Sequence, residues 1–177
     1  AGVPLIIDNT VSTAYLIKPL DNGADIVVNS SSKYINGNSN SISGIITLGK
    51  NFKWDYEKYP GLKPFSKLGP MAYIAKLRNG LFRNTGGCLA PQNAFLNNVG
   101  LETLGLRMER QCANALKLAA YLNEIDGIEV NYPGLKESPY PELADKQFKN
   151  GYGAILTVRV GGKERAFNMI NSLKMPY

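Results

Sequence analysis

Three short apolar runs, each closed by polar residues, organise the first fifty positions: "VPLIIDNT" (3–10), "ADIVVNSSS" (24–32) and "SISGIITLG" (41–49). Runs this short and rich in β-branched residues predict strands buried on both faces, as in a largely parallel sheet. Open sheets of that kind gather ligands at the carboxyl ends of their strands. The polar ends Asp8-Asn9-Thr10 and Asn29-Ser30-Ser31-Ser32 therefore mark a candidate edge for chemistry. Between the first two runs, "STAYLIKPLDNGA" (12–24) predicts a connection with a short helix, broken by Pro19 and Gly23.

The rhythm then changes. "KNFKWDYEKYPGLKPFSKLGP" (50–70) mixes aromatics, Pro, Gly and Lys, and reads as an excursion rather than a core element. Helical spacing returns over 71–84 and again over 90–125, with Gly100 and Gly105 marking a break and Gly127 a helix stop. "IEVNYP" (128–133), a polar loop, "GAILTVRV" (153–160) and a helix from about Lys163 to Leu173 form a strand–loop–strand–helix unit. The pattern predicts an α/β protein with a domain boundary near residue 126. Residues 1–125 would then belong to a larger domain and 126–177 to the start of a smaller one. No internal repeat or low-complexity tract is evident.

Composition narrows the classes. The chain has 177 residues, 44% hydrophobic and 19% charged, an ordinary globular balance. No apolar run is long enough to span a membrane, and no leader-type segment is visible. The opening "AGVPLIID" has no initiator Met and enters a strand at once, which reads as a start inside a longer protein. The net charge is +6, but Lys and Arg are scattered singly, so no nucleic-acid partner is expected. Cys88 and Cys112 make neither a metal pair nor a redox motif and read as two buried, reduced thiols of a cytoplasmic protein. The chain contains no histidine, which excludes Ser-His-Asp and Cys-His catalysis within it, and any His-ligated metal. Acid–base work here falls to Lys, Tyr, Cys or a carboxylate.

Lys33 stands out in this setting. Alone it reads as a surface lysine in a polar loop, and Asp8 alone as a turn or cap residue. Together they close two neighbouring predicted strands, and adjacent parallel strands would bring them into one crevice. Ser30 and Ser32, two apart, present hydroxyls to one side of an extended turn, where they suit a phosphate. A lysine, a buried carboxylate and phosphate-binding hydroxyls are what pyridoxal 5'-phosphate requires.

The ordered string Asp8-Asn9-Thr10, Pro19-Leu20, Gly23-Ala24-Asp25, Ser30-Ser31-Ser32-Lys33-Tyr34 and Ile42-Ser43-Gly44 resembles the signature of the Cys/Met-metabolism pyridoxal-phosphate enzymes. "GLETLGLRMER" (100–110) is similar to a further stretch of that family. The resemblance covers most of residues 1–125 and the rest only weakly. It implies the type I fold of pyridoxal-phosphate transferases: a mostly parallel sheet with helices on both faces, plus the start of a smaller α/β domain. By position, it implies that Lys33 is the Schiff-base lysine and Asp8 the partner of the pyridinium nitrogen. Ser30 and Ser32 become phosphate ligands, Ser32 replacing the usual threonine. Asn38 stands where many relatives carry a histidine, and it receives no role. The ring-stacking aromatic and the substrate-carboxylate arginine of the family fall outside this chain.

"NFKWDYEKYP" and "MAYIAKLRNGLFRNTGGCLAPQNAFL" resemble most the O-acetylhomoserine sulfhydrylase branch, with a shorter insertion than that branch implies. The implied reaction is γ-replacement on an amino-acid substrate by sulfide or a thiol, in methionine biosynthesis. The implied assembly is a homotetramer with active sites at subunit boundaries. Cystathionine synthesis, O-succinylhomoserine sulfhydrylation and γ-elimination remain alternatives within the family. A non-catalytic interaction subunit is the alternative outside it.

Overall fold

The computed structural model describes residues 2–174. Its contacts divide the chain into two compact units, Ala1–Gly105 and Leu106–Tyr177. That division falls within the helical run, whereas the change of sequence rhythm places a domain boundary near 126. The latter stays our proposal.

The first unit carries a three-stranded sheet in the order β1 (Ile6–Asp8), β2 (Ile26–Asn29), β3 (Ile45–Leu48). β1 and β2 run parallel, with Asp8 opposite Val28; β2 and β3 run antiparallel, with Asn29 opposite Ile45. A parallel return needs a crossover, usually a helix, and the β1–β2 connection supplies one. It contains α1 (Thr13–Leu16) and a 3-10 turn (Pro19–Asn22) closed by Gly23 at φ 93°. Residues 30–44 hold turns and no helix, so the chain comes back antiparallel. The expected burial on both faces holds only for β2, whose Ile26 and Val27 are buried. Among the described residues β1 and β3 each pair with β2 alone, and Ile6 is 53% exposed.

Past β3, residues 50–70 form the excursion that the sequence predicts, but they are not featureless. Trp54 stacks on Tyr73 with ring centroids 5.5 Å apart, and Phe52 and Tyr59 meet its edges. The 3-10 segment Pro60–Met71 breaks at Gly69 and leads into α2 (Ala72–Leu77). Helical structure continues through a π-turn (Arg78–Phe82) and α3 (Arg83–Thr85), ending at Gly86 with φ 72°. α4 (Pro91–Glu102) starts with proline at its first position, where the missing N–H has no intrahelical partner to lose. The break expected near Gly100 and Gly105 falls between them, at Thr103. Gly100 itself lies inside α4, for a packing reason given below.

α5 (Leu104–Asn123) joins the two units and is built from strong helix formers. Its buried residues Met108, Cys112, Ala115 and Ala119 recur at three- and four-residue steps, the stripe of an amphipathic helix. In the second unit Ala115 and Ala119 pack with Tyr132 and Leu135. The hairpin pair β4 (Glu129–Asn131) and β5 (Thr157–Arg159) is antiparallel. α6 (Pro141–Gln147) lies in the stretch read as a polar loop, and α7 (Lys163–Ser172) follows β5 as expected. The expectation of two buried thiols is half met: Cys112 is buried, whereas Cys88 is exposed after the Gly86 helix stop, and neither is disulfide-bonded. Among the described residues no helix is long and apolar enough to cross a membrane, and no group of His, Cys, Asp and Glu could hold a metal.

Candidate functional site at the sheet edge

Parallel pairing of β1 with β2 places the residues after Asp8 and after Val28 at one edge of the sheet. A threonine joins the two loops there. Asp8 Oδ1 accepts from the Thr10 N–H at 2.9 Å, and the Thr10 hydroxyl bonds the same carboxylate. Thr10 Oγ1 in turn accepts from the Ser30 N–H at 2.7 Å. These bonds hold the Asp8 carboxyl below the usual carboxylate range, because they favour its charged form. Asp8, expected to be a buried carboxylate, is exposed, and Thr10 rather than burial keeps it ionised.

The backbone behind this edge is tight. Asn9 is buried, its N–H donates to the Val28 carbonyl at 2.8 Å, and its amide donates to the Ile17 carbonyl at 3.1 Å. Thr13 is fully buried at φ 54°, a left-handed conformation unusual for a β-branched residue. It is held by its own N–H to Asn9 O at 2.9 Å and by its Oγ1, which accepts from Tyr15 N–H at 3.2 Å.

Lys33 lies five residues beyond Val28, in a loop of successive turns. Its N–H donates to Ser30 O at 3.3 Å and its carbonyl accepts from Gly37 N–H at 2.8 Å. The side chain is exposed, and its amine has no hydrogen bond or ion pair to any described residue. Residues 31–36 are successive turns, so the alternation of a strand does not set where the Ser30 and Ser32 hydroxyls face. The Ser30 hydroxyl has no hydrogen-bond partner among the described residues. The Ser32 hydroxyl donates to Ser43 O at 3.1 Å and accepts from Ser43 N–H at 2.8 Å. One orphan stands beside them: Asn29 Oδ1 is buried at the end of β2 without a hydrogen-bond partner.

Four residues of this region were not singled out from sequence: Thr10, Ser31, Ser43 and Asn97. Thr10 and the two serines sit inside the recognised string, but which hydroxyls face inward is a tertiary fact. Asn97 carried a faint signal, as a polar residue three positions before Gly100 in a helical run.

The whole chain, residues 1–177, matches the family model of the Cys/Met metabolism PLP-dependent enzymes. This chain belongs to that family. An O-acetyl-L-homoserine sulfhydrylase of Corynebacterium glutamicum is 40% identical over 191 residues, covering 98% of this chain and 44% of the relative. A homocysteine synthase of Schizosaccharomyces pombe is 39% identical over 190 residues, covering 99% and 44%. An L-methionine gamma-lyase of Fusobacterium nucleatum subsp. polymorphum is 39% identical over 173 residues, covering 97% and 38%. The chain thus spans less than half the length of these curated relatives. Its mixed α/β architecture agrees with the type I fold of the Cys/Met-metabolism enzymes, and the family's cofactor is pyridoxal phosphate.

The donor set at the sheet edge fits that cofactor. It offers a carboxylate kept ionised, together with a primary amine and the Ser30 hydroxyl, neither of which is bonded to another described residue. Ser32 fits with a change: its O–H is committed to the Ser43 carbonyl, and a phosphate would have to draw it away. The buried, unpaired Asn29 Oδ1 is a further polar group at the same edge that awaits a donor.

Proposed function

We propose that the protein containing this chain catalyses pyridoxal-phosphate-dependent γ-replacement. O-acetyl-L-homoserine and sulfide, or a thiol, would give L-homocysteine, or methionine, and acetate. The observation that supports this reading is the hydrogen-bonded link from Asp8 through Thr10 to Ser30, which ties the carboxylate loop to the lysine loop at one sheet edge. Names among the relatives support the substrate class.

When bound, the cofactor supplies an electron sink for charge developing on the substrate carbon. Everything else falls to the protein. Lys33 would hold the cofactor through its amine and would serve, when that amine is free, as a base within the site. Acting from a turn, it takes a proton from the substrate Cα and then one from Cβ, whose electron pair expels the Cγ acyloxy group as acetate; sulfide or a thiol adds at Cγ, and protons return to Cβ and Cα. Asp8, kept ionised by Thr10, stabilises a protonated ring nitrogen. Ser30 and Ser32 donate to the phosphate. Roles for Lys33, Asp8, Ser30 and Ser32 are our assignment, as are a cytoplasmic homotetramer and the completion of each site by residues outside this chain.

A second reading is γ-elimination, favoured by the methionine gamma-lyase among the relatives. Product analysis on the full-length protein separates the two. Acetate release from O-acetylhomoserine matched by new thioether or thiol product supports replacement. Release of an oxo acid, ammonia and a thiol from methionine, with no added sulfide incorporated into the carbon skeleton of O-acetylhomoserine, overturns it.

A further inference from the structure

The loop that carries Lys33 is anchored from below. Ser31 and Asn36 are fully buried, Ser41 is 9% exposed, and Asn97, on α4, is 7% exposed. Four side chains form one network. The Asn97 amide donates to Ser43 Oγ at 2.8 Å and, more weakly, to Ser31 Oγ at 3.5 Å. The Ser31 hydroxyl donates to Ser43 Oγ at 2.7 Å, and the Ser41 hydroxyl donates to Asn97 Oδ1 at 3.0 Å. Asn97 thus serves both ends of the stretch around Lys33, with its nitrogen toward Ser31 and Ser43 and its oxygen toward Ser41.

One helical turn further along the same face of α4 sits Gly100. A Cβ there would lie 2.2 Å from Asn36 O and 2.6 Å from Ile35 O, so the helix backbone presses directly on the loop. Asn36 closes the turn on itself: its N–H donates to Ser31 O at 2.9 Å, and its Oδ1 accepts from Asn38 N–H at 3.1 Å. The chain before Lys33 (Ser31) and after it (Asn36) is therefore clamped to one helix face. Asparagine is a poor helix former, and an apolar residue at 97 would leave the buried Ser41 hydroxyl without its acceptor and take a donor from the Ser31–Ser43 pair. A network of this kind is costly when partly satisfied and fixes one geometry when complete.

We propose that Asn97 is a positioning residue for Lys33, setting the backbone of the lysine turn through Ser31, Ser43 and Ser41. This deepens the cofactor reading above and rests on it for what the lysine does. The positioning itself is independent of that reading.

The test uses the full-length protein and the Asn97→Ala variant. The first readout is hydrogen exchange over residues 31–44 in the cofactor-free protein. The second is the rate at which pyridoxal phosphate is trapped on Lys33 by borohydride, located by mass mapping, with exposed Lys117 as internal reference. Asn97→Ala is expected to raise exchange over 31–44 and to slow trapping at Lys33 about tenfold, leaving Lys117 unchanged. Tyr132→Phe, a core change in the other unit, is the control for lost stability; an equal slowing in that variant overturns the proposal. So does unchanged exchange and trapping in Asn97→Ala. If Asn97→Ala does not fold, Ser31→Ala removes a single member of the network, and wild-type exchange and trapping in it overturn the proposal likewise. Faster loop exchange in the variant with no trapping on Lys33 even in wild type would uphold the positioning and sink the cofactor assignment instead.

Discussion

The Ser30 N–H donates to Thr10 Oγ1 at 2.7 Å, and this one bond joins the loops that end two parallel strands. Because Thr10 also binds Asp8, a change at either loop is felt by the carboxylate. The arrangement supplies several outcomes that can be measured.

Lys33→Ala is expected to abolish turnover and the visible absorbance of the cofactor-loaded protein. The side chain is exposed and unpaired, so thermal stability of the cofactor-free protein is expected to shift by less than about 0.5 kcal/mol. Absorbance titration and differential scanning read the two effects. Wild-type turnover in the variant would end the assignment.

Thr10→Val removes the hydroxyl that bonds Asp8 and accepts from Ser30. Asp8 is depressed in the folded protein, so its stabilising contribution is present above its ordinary value of 3.8 and fades as pH falls through the lower folded value. A pH titration of the Asp8 carboxyl by NMR is expected to move upward in Thr10→Val and to stay low in Thr10→Ser. An unmoved titration in Thr10→Val would show that the threonine does not hold the charge.

Gly100→Ala places a methyl 2.2 Å from a backbone oxygen, which no side-chain rotation relieves. Helix propensity alone would make alanine favourable at this position. Overpacking is expected to win, with a net loss of about 1–3 kcal/mol in denaturant unfolding. A variant as stable as wild type would mean that α4 does not bear on the lysine loop.

Tyr132 is 1% exposed, and its hydroxyl donates to the Gly153 carbonyl at 2.9 Å. Burial, first of all, pushes its phenol up to about 12. The neutral phenol therefore stabilises the fold fully below its ordinary value of 10, and that contribution is lost as pH rises toward about 12. Tyr132→Phe is expected to cost about 1–2 kcal/mol at neutral pH and to flatten the alkaline loss of stability. Equal alkaline unfolding profiles for the two proteins would refute the role.

The apolar runs, the helical spacing and the ordered string around Lys33 settled a good deal in one dimension. They gave the strands at 6–8, 26–29 and 45–48, the long helices, the terminal β4, β5 and α7, and the family. These are properties of local pattern, since a strand or a helix face is written by spacing along the chain. Folding alone decided that β3 runs antiparallel, that Ser32 spends its hydroxyl on Ser43, and that Asn97 reaches the lysine loop. Those outcomes depend on which distant groups meet: Asn97 and Ser31 are 66 positions apart, and no periodicity encodes their bond.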